Sequence, residues 1–93
     1  MDISTVFVLM ICEILMFGVD SRIGITTAGR IARVPWDTTT GDQIVLLRGG
    51  KTPFVVRKAL KGEGWRLVGA ANVKGMMGGE LWSEEKCCEI KLR

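Results

Sequence analysis

The pattern of hydrophobic positions changes near residue 20. From Val6 to Phe17 the chain is almost entirely apolar, and Glu13 is its single charged residue. Beyond that point, short β-branched runs alternate with glycine-rich breaks, which is typical of a chain folded into antiparallel hairpins. The sequence therefore predicts an all-β domain over residues 21–93, preceded by an N-terminal apolar helix within residues 1–20.

The apolar segment allows several interpretations. Its leucine, methionine and glutamate residues favour a helix over residues 4–17 that packs on the β domain. A membrane span from Val6 to Phe17 is an alternative, but a span needs about 20 apolar residues and Glu13 interrupts this run. A secretion signal is less favoured, because Asp2 replaces the usual basic start. The segment could also be the remnant of a truncated gene product. We expect the packed helix and a cytoplasmic location, with membrane association as the alternative.

The glycine-rich breaks divide the β domain into hairpins. Ala28 and Gly29 form the turn of the first, which is predicted to point Ile23, Ile25, Ile31 and Val34 inward. The continuous apolar run at residues 44–47 predicts a strand that is covered on both faces, wholly or in part. Near the C-terminus, Cys88, Ile90 and Leu92 alternate with charged residues, which predicts a half-buried strand with Cys88 inside. Six or so short strands predict a small antiparallel β-barrel or rolled sheet, which closes its own edges.

The same alternation predicts which side chains share the interior. Residues two apart in a strand lie on one face, and paired strands present their apolar faces to one interior. The predicted core comprises Ile44, Leu46, Phe54, Val56, Leu67 and Ile90. The side chains predicted to remain in water are Arg48, Lys51, Lys58 and Lys61.

Charge and cysteine content narrow the classes of function. The 93 residues suffice for one modest core, and 13 lysines and arginines against 10 acids give a net charge of +3. The cations are scattered singly, so a solvated surface is expected and nucleic-acid binding is not. A basic barrel that binds single-stranded nucleic acid is nevertheless an alternative. Cys12, Cys87 and Cys88 have neither disulfide nor zinc spacing, and reduced thiols are expected.

The sequence gives little support for a catalytic function. Histidine and tyrosine are absent, which removes nucleophile activation by imidazole. Lys51 and Thr52 follow two glycines as in a phosphate-binding loop. However, Val45 occupies the position of the required upstream glycine, and Pro53 follows where a helix must continue. We expect no catalytic, cofactor-binding or metal site, no small-molecule substrate and no enzymatic activity.

Several motifs occur in an order that resembles the C-terminal region of fungal heterokaryon-incompatibility (HET) domain proteins. The resemblance covers about residues 22–93. Its motifs are Thr26-Thr27-Ala28-Gly29-Arg30-Ile31, Val34-Pro35, Gly41-Asp42, the run from Leu47 to Arg57, and Arg66-Leu67-Val68-Gly69. The run from Asn72 to Glu80 is similar to the family's closing motif, in which Tyr, His and Asp usually stand where this chain has Asn72, Lys74 and Gly78. Gly24 also replaces a residue that is commonly aromatic or bulky.

The resemblance implies a role in non-self recognition and cell death after fusion of unlike fungal cells. The HET domain to which that effector activity is attributed does not occur in this sequence. The remainder resembles an accessory β module that acts through protein contacts. Its partner would be another protein or the HET domain of a related chain. A non-functional truncated product is the alternative.

Overall fold

The fold is known from a computed structural model that describes residues 4–16, 22–61, 64–78 and 81–92. Within these ranges the chain is all-β and contains no helix. A single sheet has the order β4-β5-β6-β8-β1-β2-β3-β7, and β4 also pairs with β1. The strands are β1 (Ser4–Met16), β2 (Ile23–Thr26), β3 (Ile31–Arg33), β4 (Gln43–Leu47), β5 (Phe54–Lys58), β6 (Trp65–Ala70), β7 (Asn72–Val73) and β8 (Cys88–Leu92).

Five of the strands form a closed circuit of pairings. β1 pairs with β4, β4 with β5, β5 with β6, β6 with β8, and β8 again with β1. Antiparallel neighbours alternate in direction, so an odd number of strands closes only if one pair is parallel. That pair is β6 and β8, joined at Trp65 and Leu92. β2, β3 and β7 extend the sheet from the end of β1.

The N-terminal segment is a strand, so the prediction of a helix within residues 1–20 is wrong. β1 has partners on both edges: β8 along residues 4–8, β4 along residues 8–13 and β2 along residues 14–16. Pairing on both edges satisfies the backbone and buries the apolar side chains, which overrides the high helix propensity of leucine and methionine. Residues 1–3 and 17–20 of the predicted helix lie outside the described residues, as does the proposed domain boundary at residue 20.

An irregularity in β1 links the two halves of the sheet. Met10 pairs with Val45 and Cys12 pairs with Ile44, which leaves Ile11 as an extra residue in the ladder. Such a bulge changes which side chains face inward and bends the strand. One strand can therefore belong first to the five-strand circuit and then to the β2–β3–β7 extension.

Two groups of buried side chains lie on opposite sides of β4 and β5. Ile44 and Val55 belong to the group that packs toward the β2–β3–β7 extension, whereas Val45 and Val56 face the other group. This confirms the prediction that the apolar run at residues 44–47 is covered on both faces. The first group is Cys12, Ile14, Ala32, Val34, Ile44, Val55, Ala71, Val73 and Met76. The second is Val8, Val45, Val56 and Ile90.

The predicted core is correct in part. The prediction placed all six side chains in one interior, but Ile44 belongs to the first group of buried residues, and Val56 and Ile90 belong to the second. Ile44, Leu46, Val56 and Ile90 are buried, whereas Phe54 is half-buried and Leu67 is 43% exposed. Leu67 lies on β6, which is joined to β8 through a single described residue pair, so this part of the strand is less covered. Cys88 is exposed and not in the core, although Ile90 on the same strand is buried. The side chains predicted to be in water, Arg48, Lys51, Lys58 and Lys61, are all exposed.

Gly24 permits the close approach of β1 and β2. A Cβ atom there would lie 2.8 Å from the carbonyl oxygen of Leu15 and 2.9 Å from both Ile14 Cγ1 and the sulfur of Met16. The bulky residue common in the resembling family therefore has no room in this chain, because Ile14 and Met16 fill the space.

We expect Gly24→Ala to lower the free energy of unfolding by about 1–3 kcal/mol, since the added methyl must push two strands apart. Lys61→Ala, at an exposed site, should change it by less than about 0.5 kcal/mol. Urea unfolding of both variants measures the difference. Equal stability of Gly24→Ala and the parent chain would contradict the tight β1–β2 contact.

Candidate functional site

The outer surface of the β1–β2–β3 ladder carries an unusual row of apolar side chains. Leu15 pairs with Ile25, and Ile25 pairs with Ile31, so the three lie side by side across three strands. Directly paired residues point to the same face of a sheet. Together with Ile23, which lies two residues along β2, they form an apolar surface. We call the surface made by Glu13, Leu15, Ile23, Ile25, Ile31 and Arg33 the isoleucine face.

The isoleucine face is in contact with solvent. Leu15 is 42% exposed, Ile23 50% and Ile31 61%, and Ile25 is half-buried. A contiguous exposed patch of large apolar residues is uncommon in a monomeric protein and usually marks an interaction site.

The prediction that Ile23, Ile25 and Ile31 point inward is therefore wrong. The buried residues of this hairpin are instead the small ones, Gly24, Thr26 and Ala32, while Val34 is buried as predicted. A change of one residue in strand register moves every side chain to the opposite face. The size of the apolar side chains alone predicts the wrong face. The large isoleucines do not face inward, because Ile14 and Met16 from β1 already fill the interior next to Gly24.

Two opposite charges lie at the ends of the isoleucine face. Glu13 precedes Leu15 by two residues on β1, and Arg33 follows Ile31 by two residues on β3, so both side chains point outward. Both are exposed, and neither forms an ion pair with another described residue. Each charge therefore lies where a group on another molecule can reach it.

A shallow cleft extends the isoleucine face beyond Arg33. It has a volume of about 370 Å³ and is lined by Ile31, Arg33, Asn72 and Lys74. Asn72 and Lys74 are two of the positions at which this chain departs from the closing motif of the resembling family. The structure thus places these two departures on the exposed surface, beside the isoleucine face.

Asp42 and Arg57 form the main polar cluster inside the fold. Arg57 Nε donates to Asp42 Oδ1 at 2.9 Å, and Arg57 Nη2 donates to Asp42 Oδ2 at 2.8 Å. Arg57 Nη2 also donates to the carbonyl oxygen of Asp37 at 2.7 Å, and the backbone N–H of Thr39 donates to Asp42 Oδ2 at 3.0 Å. The hydrogen bond to Asp42 raises the pKa of Arg57. These hydrogen bonds connect the loop between β3 and β4 to Arg57 on β5.

A second polar cluster lies on the surface around Arg48. Arg48 forms an ion pair with Glu84, and its guanidinium carbon lies 4.3 Å from the centre of the Phe7 ring. The hydrogen bond between the two side chains raises the pKa of Arg48 and lowers that of Glu84. Because both side chains are about half exposed or more, the pair contributes little to stability.

The remaining candidate chemistry has structural explanations. Gly49, with φ of 78°, lies in the turn between β4 and β5, and the strand that begins at Phe54 follows where a phosphate-binding loop requires a helix. The three cysteines are unpaired, and burial raises the pKa of the Cys12 thiol. The described residues hold no group of three or more metal-ligating side chains. They also include no helix long and apolar enough to span a membrane.

The sequence model of the Het-6 beta-barrel domain family matches residues 12–92. This match begins in β1 and includes every strand from β2 to β8. No curated protein and no solved structure matches the chain.

Proposed function

We propose that the chain, which belongs to the Het-6 beta-barrel domain family, is a non-enzymatic module that acts through protein–protein contact. Its pathway would be heterokaryon incompatibility, the recognition of non-self between fused cells. The observation that carries the proposal is the isoleucine face. Its partner would be another protein or the HET domain of a related chain, in the cytoplasm.

The shape of the site supports a macromolecular partner over a small molecule. The isoleucine face spreads across three strands and is exposed, whereas small-molecule sites are concave and bury most of their ligand. A protein partner can cover such a surface with its own apolar side chains, which yields the free energy of removing both from water. The closed circuit of β1, β4, β5, β6 and β8 supports describing the supporting scaffold as a barrel.

The arrangement of cations and aromatic residues gives less support to single-stranded nucleic acid. Binding of that kind combines a basic groove with aromatic rings on which bases stack. Arg48 lies over the Phe7 ring, and the Lys58 ammonium is 6.0 Å from the Trp65 ring. Arg57 is already engaged by Asp42 inside the fold. The isoleucine face itself offers aliphatic side chains, which do not stack with bases.

Photo-crosslinking in living fungal cells tests the proposed function. A photoreactive amino acid placed at Ile31 should yield adducts with protein after irradiation, because Ile31 is the most exposed aliphatic residue of the face. The matched control carries the same photoreactive group at Lys61, an exposed residue between β5 and β6. We expect at least about tenfold more protein adduct from position 31, since a specific interface excludes most of the remaining surface.

Two outcomes would contradict the proposal. Equal yields from positions 31 and 61 would mean that the isoleucine face has no preferred protein partner. Adducts at position 31 that disappear after nuclease digestion would identify nucleic acid as the partner. Mass spectrometry of the purified adducts distinguishes protein from nucleic acid directly.

A further inference from the structure

We propose that the isoleucine face binds a second copy of this chain across a two-fold axis. The inference rests on the proposed function, since it identifies the protein partner of the same surface. It is carried by the positions of two unpaired charges relative to the apolar row.

The strand register places Glu13 and Arg33 at diagonally opposite corners of the face. Glu13 is two residues before Leu15, and Arg33 is two residues after Ile31, while Leu15, Ile25 and Ile31 are aligned. β1 and β3 are both antiparallel to β2 and therefore run in the same direction. With strands about 4.8 Å apart and a rise of about 3.4 Å per residue, each charge lies about 8 Å from Ile25, on opposite sides. Ile25 is thus the midpoint between the acid and the base.

This arrangement is self-complementary. In a two-fold symmetric interface, if residue i of one copy meets residue j of the other, then j also meets i. A two-fold axis that lies in the interface, passes over Ile25 and is perpendicular to the line from Glu13 to Arg33 brings each Glu13 onto the partner's Arg33. One operation therefore creates two ion pairs and places Ile25 against its own copy.

The apolar residues lie between these two ion pairs. Leu15, Ile23, Ile25 and Ile31 would form the centre of the interface, with the charges at its rim, which is the usual arrangement in protein interfaces. The strands of the two copies would cross at a steep angle, near the orthogonal class of sheet packing. Apolar burial supplies most of the affinity, and the two charge pairs select the orientation.

A second copy fits this surface more simply than an unrelated protein does. An unrelated partner would need an apolar patch with a cation opposite Glu13 and an acid opposite Arg33. This chain already presents both groups at the required separation. Neither Glu13 nor Arg33 has an ion-pair partner among the residues that the structure describes.

Charge reversal tests the proposed orientation. The full chain should sediment as a dimer, with a dissociation constant on the order of micromolar for an interface of this small size. Glu13→Arg and Arg33→Glu should each weaken the dimer at least about tenfold, because every single reversal turns two attractions into two repulsions. The double variant Glu13→Arg/Arg33→Glu restores both pairs with their signs exchanged, and should return to within about threefold of the parent chain.

Two further variants serve as controls. Lys61→Glu reverses an exposed charge outside the face and should leave the dimer unchanged. Ile31→Glu places a charge in the apolar centre and should give a monomer. Thermal unfolding followed by circular dichroism shows that each variant is folded before its mass is measured by sedimentation velocity.

The results separate this inference from the proposed function. A parent chain that remains monomeric at about 100 times the expected dissociation constant overturns the dimer. If position 31 still crosslinks to a different protein, then the proposed function stands without the dimer. A dimer that is insensitive to both single reversals, or that the double variant fails to restore, also overturns the proposed pairing. If neither a dimer nor a protein adduct is found, both proposals fail.

Discussion

Replacing Asp42 with alanine is expected to lower the free energy of unfolding by about 2–4 kcal/mol. The side chain is 4% exposed and accepts two hydrogen bonds from Arg57 and one from the backbone of Thr39. Removal of one partner from a buried charge pair is costly, because the other charge stays partly desolvated. Arg57 is 30% exposed, so water can solvate part of its guanidinium and the cost falls below that of a fully buried pair. Urea unfolding measures the change.

Asp37→Ala is the matched control for Asp42→Ala. Asp37 lies in the same loop, and its carboxylate is 3.8 Å from Arg66 in an exposed pair. The hydrogen bond that Asp37 accepts from Arg57 goes to its backbone carbonyl, which alanine retains. We therefore expect a loss of less than about 1 kcal/mol. A larger loss of unfolding free energy from Asp37→Ala than from Asp42→Ala would mean that the buried Asp42–Arg57 pair does not stabilise the attachment of the loop to β5.

The buried pair also gives a physical meaning to two motifs of the family resemblance. Gly41-Asp42 and the run that ends at Arg57 are separate in sequence, and the structure joins them through two hydrogen bonds. Gly41 has φ of 100°, a conformation that glycine adopts without strain. These motifs therefore specify a turn and its attachment to β5. The ion pair between their charged residues stabilises the fold.

Local sequence patterns predicted the β elements well at the turns, where the chain reverses direction. Gly49 with Gly50, and Ala28 with Gly29, correctly indicated turns because those positions adopt turn geometry regardless of what packs nearby. The run at residues 44–47 correctly indicated a strand with two covered faces. In each case the information is contained within a few consecutive residues.

The strand conformation of β1 and the orientation of the first hairpin could not be predicted in this way. Both depend on residues that are distant in sequence. β1 is a strand because β4, β8 and β2 pair with it, and these strands follow it in sequence. The hairpin exposes its isoleucines because Ile14 and Met16 occupy the space beside Gly24. The only signal of the inward face in the sequence is a pair of small residues, Gly24 on β2 and Ala32 on β3, which lie directly opposite each other. The same features conceal the candidate site, since the sequence pattern places these isoleucines in the core.

Ile44→Ala is expected to lower the free energy of unfolding by about 2–5 kcal/mol, the range for truncation of a large aliphatic side chain in a core. Ile44 is completely buried and packs with the residues that join β4 to the β2–β3–β7 extension. Alanine would leave a cavity between the two halves of the sheet. For a chain of this length, such a loss is a large part of a total stability of roughly 5–14 kcal/mol.

Leu67→Ala distinguishes the observed core from the one that the sequence predicted. Both residues belonged to the predicted core, but Leu67 is 43% exposed, whereas Ile44 is inaccessible to solvent. Truncation of Leu67 should therefore cost about 1 kcal/mol or less, because much of its surface is already in water. Urea unfolding of the two variants under the same conditions gives the comparison. Equal losses would mean that β6 is covered in solution and that the sheet closes more completely between β6 and β8 than one residue pair indicates.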